Sequence, residues 1–142
     1  MSYRFVDDIA IADLAFEADG ATIDDLFSSA AEALTSAMID DPNRIGHTET
    51  LRFGVASKSL EMLLFLFLNR IILYKDSKKI LFGRFDVKIS EGRGYKLRCT
   101  AYGEKLDAER QKLAVDVKAV TMHMLKVWRE NGKWRARVVI DV

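Results

Sequence analysis

The chain of 142 residues holds a single cysteine, Cys99. One thiol excludes an internal disulfide and any cysteine-rich zinc site. Histidine is scarce too, with only His47 and His123. A general base needs a partner within reach, and neither histidine has an evident one in sequence. No hydrophobic run is long enough to cross a bilayer. The most apolar stretch, residues 60–68, is interrupted by Glu61 and ends at Asn69-Arg70. The opening Met1-Ser2-Tyr3-Arg4 lacks the basic-then-apolar order of a signal peptide. Charge of one sign is also missing. The formal net charge is +1, which does not indicate a strongly electrostatic nucleic-acid binder. There is no internal repeat, low-complexity tract or linker. The expectation is one soluble, cytoplasmic domain over residues 1–142, without membrane contact.

What remains is a mixed pattern of helix and strand. Residues 4–18 read as a strand or hairpin, with Leu14 and Phe16 on one face and Asp13 on the other. Thr22 is placed to cap a helix, with Asp25 three residues on. Apolar residues at helical spacing then run from Ile23 to Met38, and Asp40-Asp41-Pro42 ends the helix. Residues 45–55 alternate as a strand. Ser57 or Ser59 caps a second helix reaching about Tyr74, apolar over more than one face. Residues 85–89 and 95–101 alternate around the turn Glu91-Gly92-Arg93-Gly94. Residues 103–115 read as a charged connection and 117–128 as one long strand. Asn131-Gly132 signals a tight hairpin leading into a last strand, 134–141, with Trp128 and Trp134 pairing across it. The predicted fold class is α+β: about six strands, two helices and a C-terminal β-hairpin.

The chemistry concentrates at the end of the chain. On the last strand Trp134, Ala136, Val138 and Ile140 share one face, and Arg135, Arg137, Val139 and Asp141 the other. The Asp141 side chain and the α-carboxylate of Val142 therefore lie side by side. If the first and last strands are neighbours, Asp13 faces the same place. Like charges ~4 Å apart repel by about 4 kcal/mol at an effective dielectric near 20. Converging carboxylates then spread, take up protons or bind a hard cation, and oxygen ligands suit calcium or magnesium. The alternative is that Asp13 and Asp141 are separate surface acids, with Asp141 paired to Arg135 or Arg137. Cys99 reads as a small buried apolar residue. Gly92-x-Gly94 is not a phosphate loop, because no helix follows it. Glu104 and Asp107 fall in the charged connection.

These residues resemble the motifs of the archease family. Ala10-Ile11-Ala12-Asp13, with Gly20 beyond it, stands where the family has His-Thr-Ala-Asp and a glycine. Gly103-Glu104-Lys105-Leu106-Asp107 matches its Gly-Glu-x-x-Asp. The stretch from Val117 to His123 is similar to its Val-Lys-Ala-x-Thr-Tyr-His, and Asp141-Val142 to its terminal Asp-Ile. The chain departs from the family at Ala10-Ile11, at Gln111 in place of a histidine, and at Met122 in place of the tyrosine. The resemblance implies a non-enzymatic accessory protein that promotes the guanylation and turnover of a tRNA-splicing RNA ligase, touching RNA only indirectly. It also implies a divalent cation, calcium, held by Asp13, Asp141 and Val142. Two rival expectations stand beside it. A small hydrolase-like enzyme would gather Glu104, Asp107 and His123 in a concave pocket. A general chaperone-like module would expose an apolar patch.

Overall fold

A computed structural model describes residues 2–6, 14–107, 111 and 113–142. Asp13 and the neighbouring Ala10-Ile11-Ala12 lie outside the described residues. The element order is β1 (Ser2–Val6), β2 (Leu14–Gly20), α1 (Ile23–Met38), β3 (Glu49–Ser57), α2 (Leu60–Lys78), β4 (Ile80–Glu91), β5 (Tyr95–Lys105), β6 (Ala119–Val120), β7 (Lys126–Glu130) and β8 (Lys133–Asp141). A short 3-10 turn at Pro42–Arg44 follows α1. The fold is α+β, as expected. The described strands form two sheets, one ordered β1-β2-β8-β6 with β7 also on β8, the other β3-β5-β4.

Both helices start where side-chain caps allow. Thr22 accepts a hydrogen bond from the Asp25 amide, and Ser59 accepts one from the Met62 amide. Each helix touches both sheets, so the two sheets and two helices share one core. The face of α1 carries Ala30, Ala31, Ala33 and Ala37, all buried, which lets the helix approach the strands closely. Its polar residues are satisfied by strand carbonyls. Ser28 donates to Phe85 O at 2.8 Å and Thr35 to Phe82 O at 2.8 Å. The buried stripe of α2 is Leu63, Leu64, Phe67, Leu68, Ile71 and Ile72. Full burial of such side chains contributes about 1.5–3 kcal/mol each.

Four expectations are corrected by this architecture. The predicted long strand over residues 117–128 is two strands, β6 and β7. Between them the chain turns, with Met124 at φ 56° and the Leu125 amide bonded to Met122 O at 3.3 Å. Alternating apolar residues alone do not reveal that break. The charged connection begins later than 103, because Gly103, Glu104 and Lys105 pair with β4. Gly103 is required there: a Cβ would overlap the Leu81 carbonyl beside the irregular register at Phe82 and Arg84. The second helix runs past Tyr74 to Lys78, with Lys79 in the left-handed region at φ 54°. The two tryptophans do not pair, because Trp128 opposes Arg135 and Trp134 opposes Arg129. The hairpin itself is as expected: Asn131 and Gly132 have φ of 51° and 77°, the positive values a two-residue primed turn demands. Eight strands are present among the described residues, against about six expected.

Candidate functional site

The condition set by the sequence is met: β2 and β8 are hydrogen-bonded antiparallel neighbours, with Leu14 opposite Ile140. Ile140 is fully buried, and Asp141 beyond it is exposed. On its other side β8 pairs with β6, Val120 opposite Ile140 and Ala119 opposite Asp141. The Lys118 amide donates to Asp141 O at 2.8 Å. Val142 is half-buried and packs against the core. The Asp141 backbone is thus held without using its carboxylate.

The motif from Val117 to His123 is the segment that lies along this end of β8. Val117 is fully buried. The Thr121 amide and hydroxyl both donate to Val139 O, at 3.0 and 3.2 Å. His123 is exposed in the turn after β6. The segment is short, and α2 holds it with two side chains that sequence reading missed. Asn69 accepts from the Val120 amide at 2.9 Å and donates to Val120 O at 3.1 Å, filling the place of an adjacent strand. Lys75, only 8% exposed, donates to Val117 O at 2.8 Å and lies 3.3 Å from Asp116. Both are polar residues within an apolar helix. That is the signal that was available, since a buried polar group needs a partner.

The arginines of β8 are not the partners of Asp141. Arg137 sits 3.4 Å from Glu17 on β2, which also takes Arg4 at 2.7 Å. Arg135 lies 3.3 Å from Glu130. Among the described residues no group of three His, Cys, Asp or Glu side chains could hold a metal ion. Asp13, the third proposed carboxylate, lies outside them.

The residues of the enzymatic alternative are not brought into a described cavity. Glu104 is a buried residue of β5, Asp107 is exposed after that strand, and His123 belongs to a turn of the other sheet. None of the three lines the clefts at the β4–β5 turn, beside Lys75 and Leu113, between Tyr3 and Trp128, or beside Glu32 and Pro42. Glu104 takes a hydrogen bond from Gln111 Nε2 at 3.1 Å. The same amide group donates to Lys105 O at 2.9 Å, and Gln111 Oε1 accepts from the Asp107 amide at 2.7 Å. The Gly-Glu-x-x-Asp motif is therefore tied together through Gln111.

Comparison with known proteins places this geometry in one family. The chain matches the archease protein family over residues 3–142. It is 34% identical to the protein archease of Pyrococcus abyssi over 133 residues, covering 92% of this chain and 93% of that one. It is 36% identical to the protein archease of Methanopyrus kandleri, covering 92% and 94%. The solution structure of Methanobacterium thermoautotrophicum protein 1598 superimposes with a TM-score of 0.86 at 33% identity, covering 99% of this chain and 98% of that chain. A crystal structure from Thermotoga maritima, described as an archease and possible chaperone, shares the fold with a TM-score of 0.63 at 24% identity, covering 96% of each chain. None of these names denotes a catalytic activity. No helix among the described residues is long and apolar enough to cross a membrane.

Proposed function

Because the chain belongs to the archease family, we propose that it is a cytoplasmic accessory factor that binds calcium and promotes the guanylation and turnover of a tRNA-splicing RNA ligase. The observation that carries this reading is the pairing of Leu14 with Ile140. Asp13 precedes Leu14 in the chain and Asp141 follows Ile140. That strand pair supports a shared carboxylate site, completed by the Val142 carboxylate. The donor set fits a hard cation: it offers oxygen only, with no thiol or imidazole. Bound there, the cation offsets the mutual repulsion of the carboxylates. This chain's own part is to hold Asp141 by backbone bonds to β6, so that its side chain remains available. The ligase is the partner, and RNA is met through it.

The test has two arms. Calcium titrated by calorimetry should bind the wild type and bind Asp13→Ala far more weakly; equal affinity would remove Asp13 from the site. Multiple-turnover ligation should rise when the protein is added to the ligase. RNA joining by this chain without the ligase would overturn the accessory reading.

A further inference from the structure

The β3-β5-β4 sheet buries one face against the helices and turns the other to solvent. Phe53, Leu97 and Val87 point inward, and Arg52, Arg98 and Lys88 are exposed. The register stacks the exposed residues in rows across the sheet: Gly54, Arg98 and Lys88 in one, Ala56, Lys96 and Ser90 in the next. Where the rows end, the β4–β5 turn and the entry to α2 enclose a cleft of about 610 Å³, lined in part by Lys58, Arg93 and Lys96.

Most of the cations here have no acidic partner. Among the described residues the side chains of Arg52, Lys58, Lys88, Arg93, Lys96 and Arg98 form no hydrogen bond or ion pair; the acids nearby are Asp86, 3.7 Å from Arg84, and Glu91 in the lining of the cleft. On the outer face of the other sheet Arg4, Arg135 and Arg137 sit on glutamates, and Lys126 lies 5.1 Å from the Trp128 ring centroid. Folding does not favour the arrangement. Lys88 lies directly opposite Arg98, and like charges so placed destabilise a sheet. The net charge of +1 conceals this face, because the potential at a surface depends on where charges lie and not on their sum.

We infer that the solvent face of the β3-β5-β4 sheet, with the cleft at its end, binds the phosphodiester backbone of single-stranded RNA. The choice of RNA among nucleic acids rests on the proposed function, in which the ligase brings RNA to this protein; the recognition of a phosphate chain rests on the face itself, which adds a weak direct contact to the one made through the ligase. Same-face residues repeat every ~6.8 Å along a strand, a spacing suited to successive phosphates. Gly54 and Ala56 keep the β3 side low, leaving room for a chain to lie across the rows. An acidic protein partner fits less well. The centres of protein interfaces are rich in aromatics and poor in lysine, whereas the central rows here carry lysine and no aromatic. Tyr102, further along the face, already lies under Arg84, whose guanidinium is 5.3 Å from the ring. Nucleic-acid interfaces are the polar, strongly positive kind.

The experiment uses the isolated full chain with neither ligase nor calcium, so its failure says nothing against the proposed function. Binding of a fluorescent 20-nucleotide RNA is followed by anisotropy between about 50 and 200 mM salt. The expected affinity at physiological salt is weak, in the ~10⁻⁴–10⁻⁶ M range of non-specific binding. Four to six engaged cations set a log–log salt slope of about −3 to −4, taking −0.7 for each phosphate neutralised on a single strand. The triple variant Lys88→Ala/Lys96→Ala/Arg98→Ala should flatten that slope by about 2 and weaken low-salt binding at least tenfold. Its thermal midpoint should stay within a few degrees of the wild type. The double variant Lys126→Ala/Lys133→Ala, on the other sheet, should bind like the wild type. No RNA binding at low salt, or equal binding by wild type and triple variant, would overturn the inference. So would polyglutamate of matched charge binding as tightly as RNA, which would make the face a site for acidic protein.

Discussion

Gln111 and Glu104 meet in the interior, with Gln111 Nε2 donating to Glu104 Oε1 at 3.1 Å. Gln111 also bonds Lys105 O and the Asp107 amide. The glutamine thus ties Glu104, the Lys105 carbonyl and the Asp107 amide together at the end of β5.

Gln111→Leu, similar in volume, removes all three bonds. Each hydrogen bond lost costs about 0.5–1.5 kcal/mol net. Urea unfolding should show a lower midpoint with an unchanged slope. Gln111→His, the residue the family resemblance calls for, retains one donor and one acceptor and should fall between wild type and Gln111→Leu. If Gln111→Leu proves as stable as wild type, the network contributes nothing to folding.

Asn69 replaces a neighbouring strand for Val120. Asn69→Leu should cost about 1–3 kcal/mol by the same reasoning. Because β6 carries Ala119 opposite Asp141, the variant should also bind calcium more weakly. The two readings are taken on one sample, denaturation for the first and calorimetry for the second. Full calcium affinity in a destabilised Asn69→Leu would show that β6 does not support the site.

Burial, with a smaller contribution from the charge of Asp86, pushes the Cys99 thiol up from 9.0 to about 12. The unfolded chain releases this proton near pH 9, while the folded chain keeps it until about pH 12. Between those values the unfolded state holds fewer protons, so stability falls as pH rises through that window and is unaffected well below it. Thermal midpoints should therefore drop more steeply from pH 8.5 to 11 in the wild type than in Cys99→Ala. Thiol-reactive dye at pH 8 should label native protein only as fast as it opens.

Adding two residues after Val142 displaces the α-carboxylate and keeps every side chain. Stimulation of the ligase and calcium affinity should both fall, with the thermal midpoint nearly unchanged. A fully active extended protein would show that the terminal carboxylate is not a ligand.

Much of this was legible in the chain. Thr22 declared the first helix start, and the second was narrowed to Ser57 or Ser59, of which Ser59 is the cap, because a hydroxyl before an apolar run can accept a bond from a free helix amide. Asn131-Gly132 declared its hairpin, because a primed turn needs two positive φ angles. The inward faces of β5 and β8 followed from alternation, and the motifs around Gly103 and Val117 carried the family resemblance.

Tertiary structure decided what depends on residues far apart in sequence. The pairing of β2 with β8 joins positions more than a hundred residues apart, and local patterns carry no record of such a choice. It also sent Arg137 to Glu17 instead of Asp141, since cross-strand register sets which charges meet. Glu104, read as part of a charged connection, is buried because β4 extends far enough to pair with it. The basic face of the smaller sheet emerged in the same way. Arg52, Lys88 and Arg98 are scattered along the chain at a net charge of +1, and only the alignment of β3, β5 and β4 gathers them on one side.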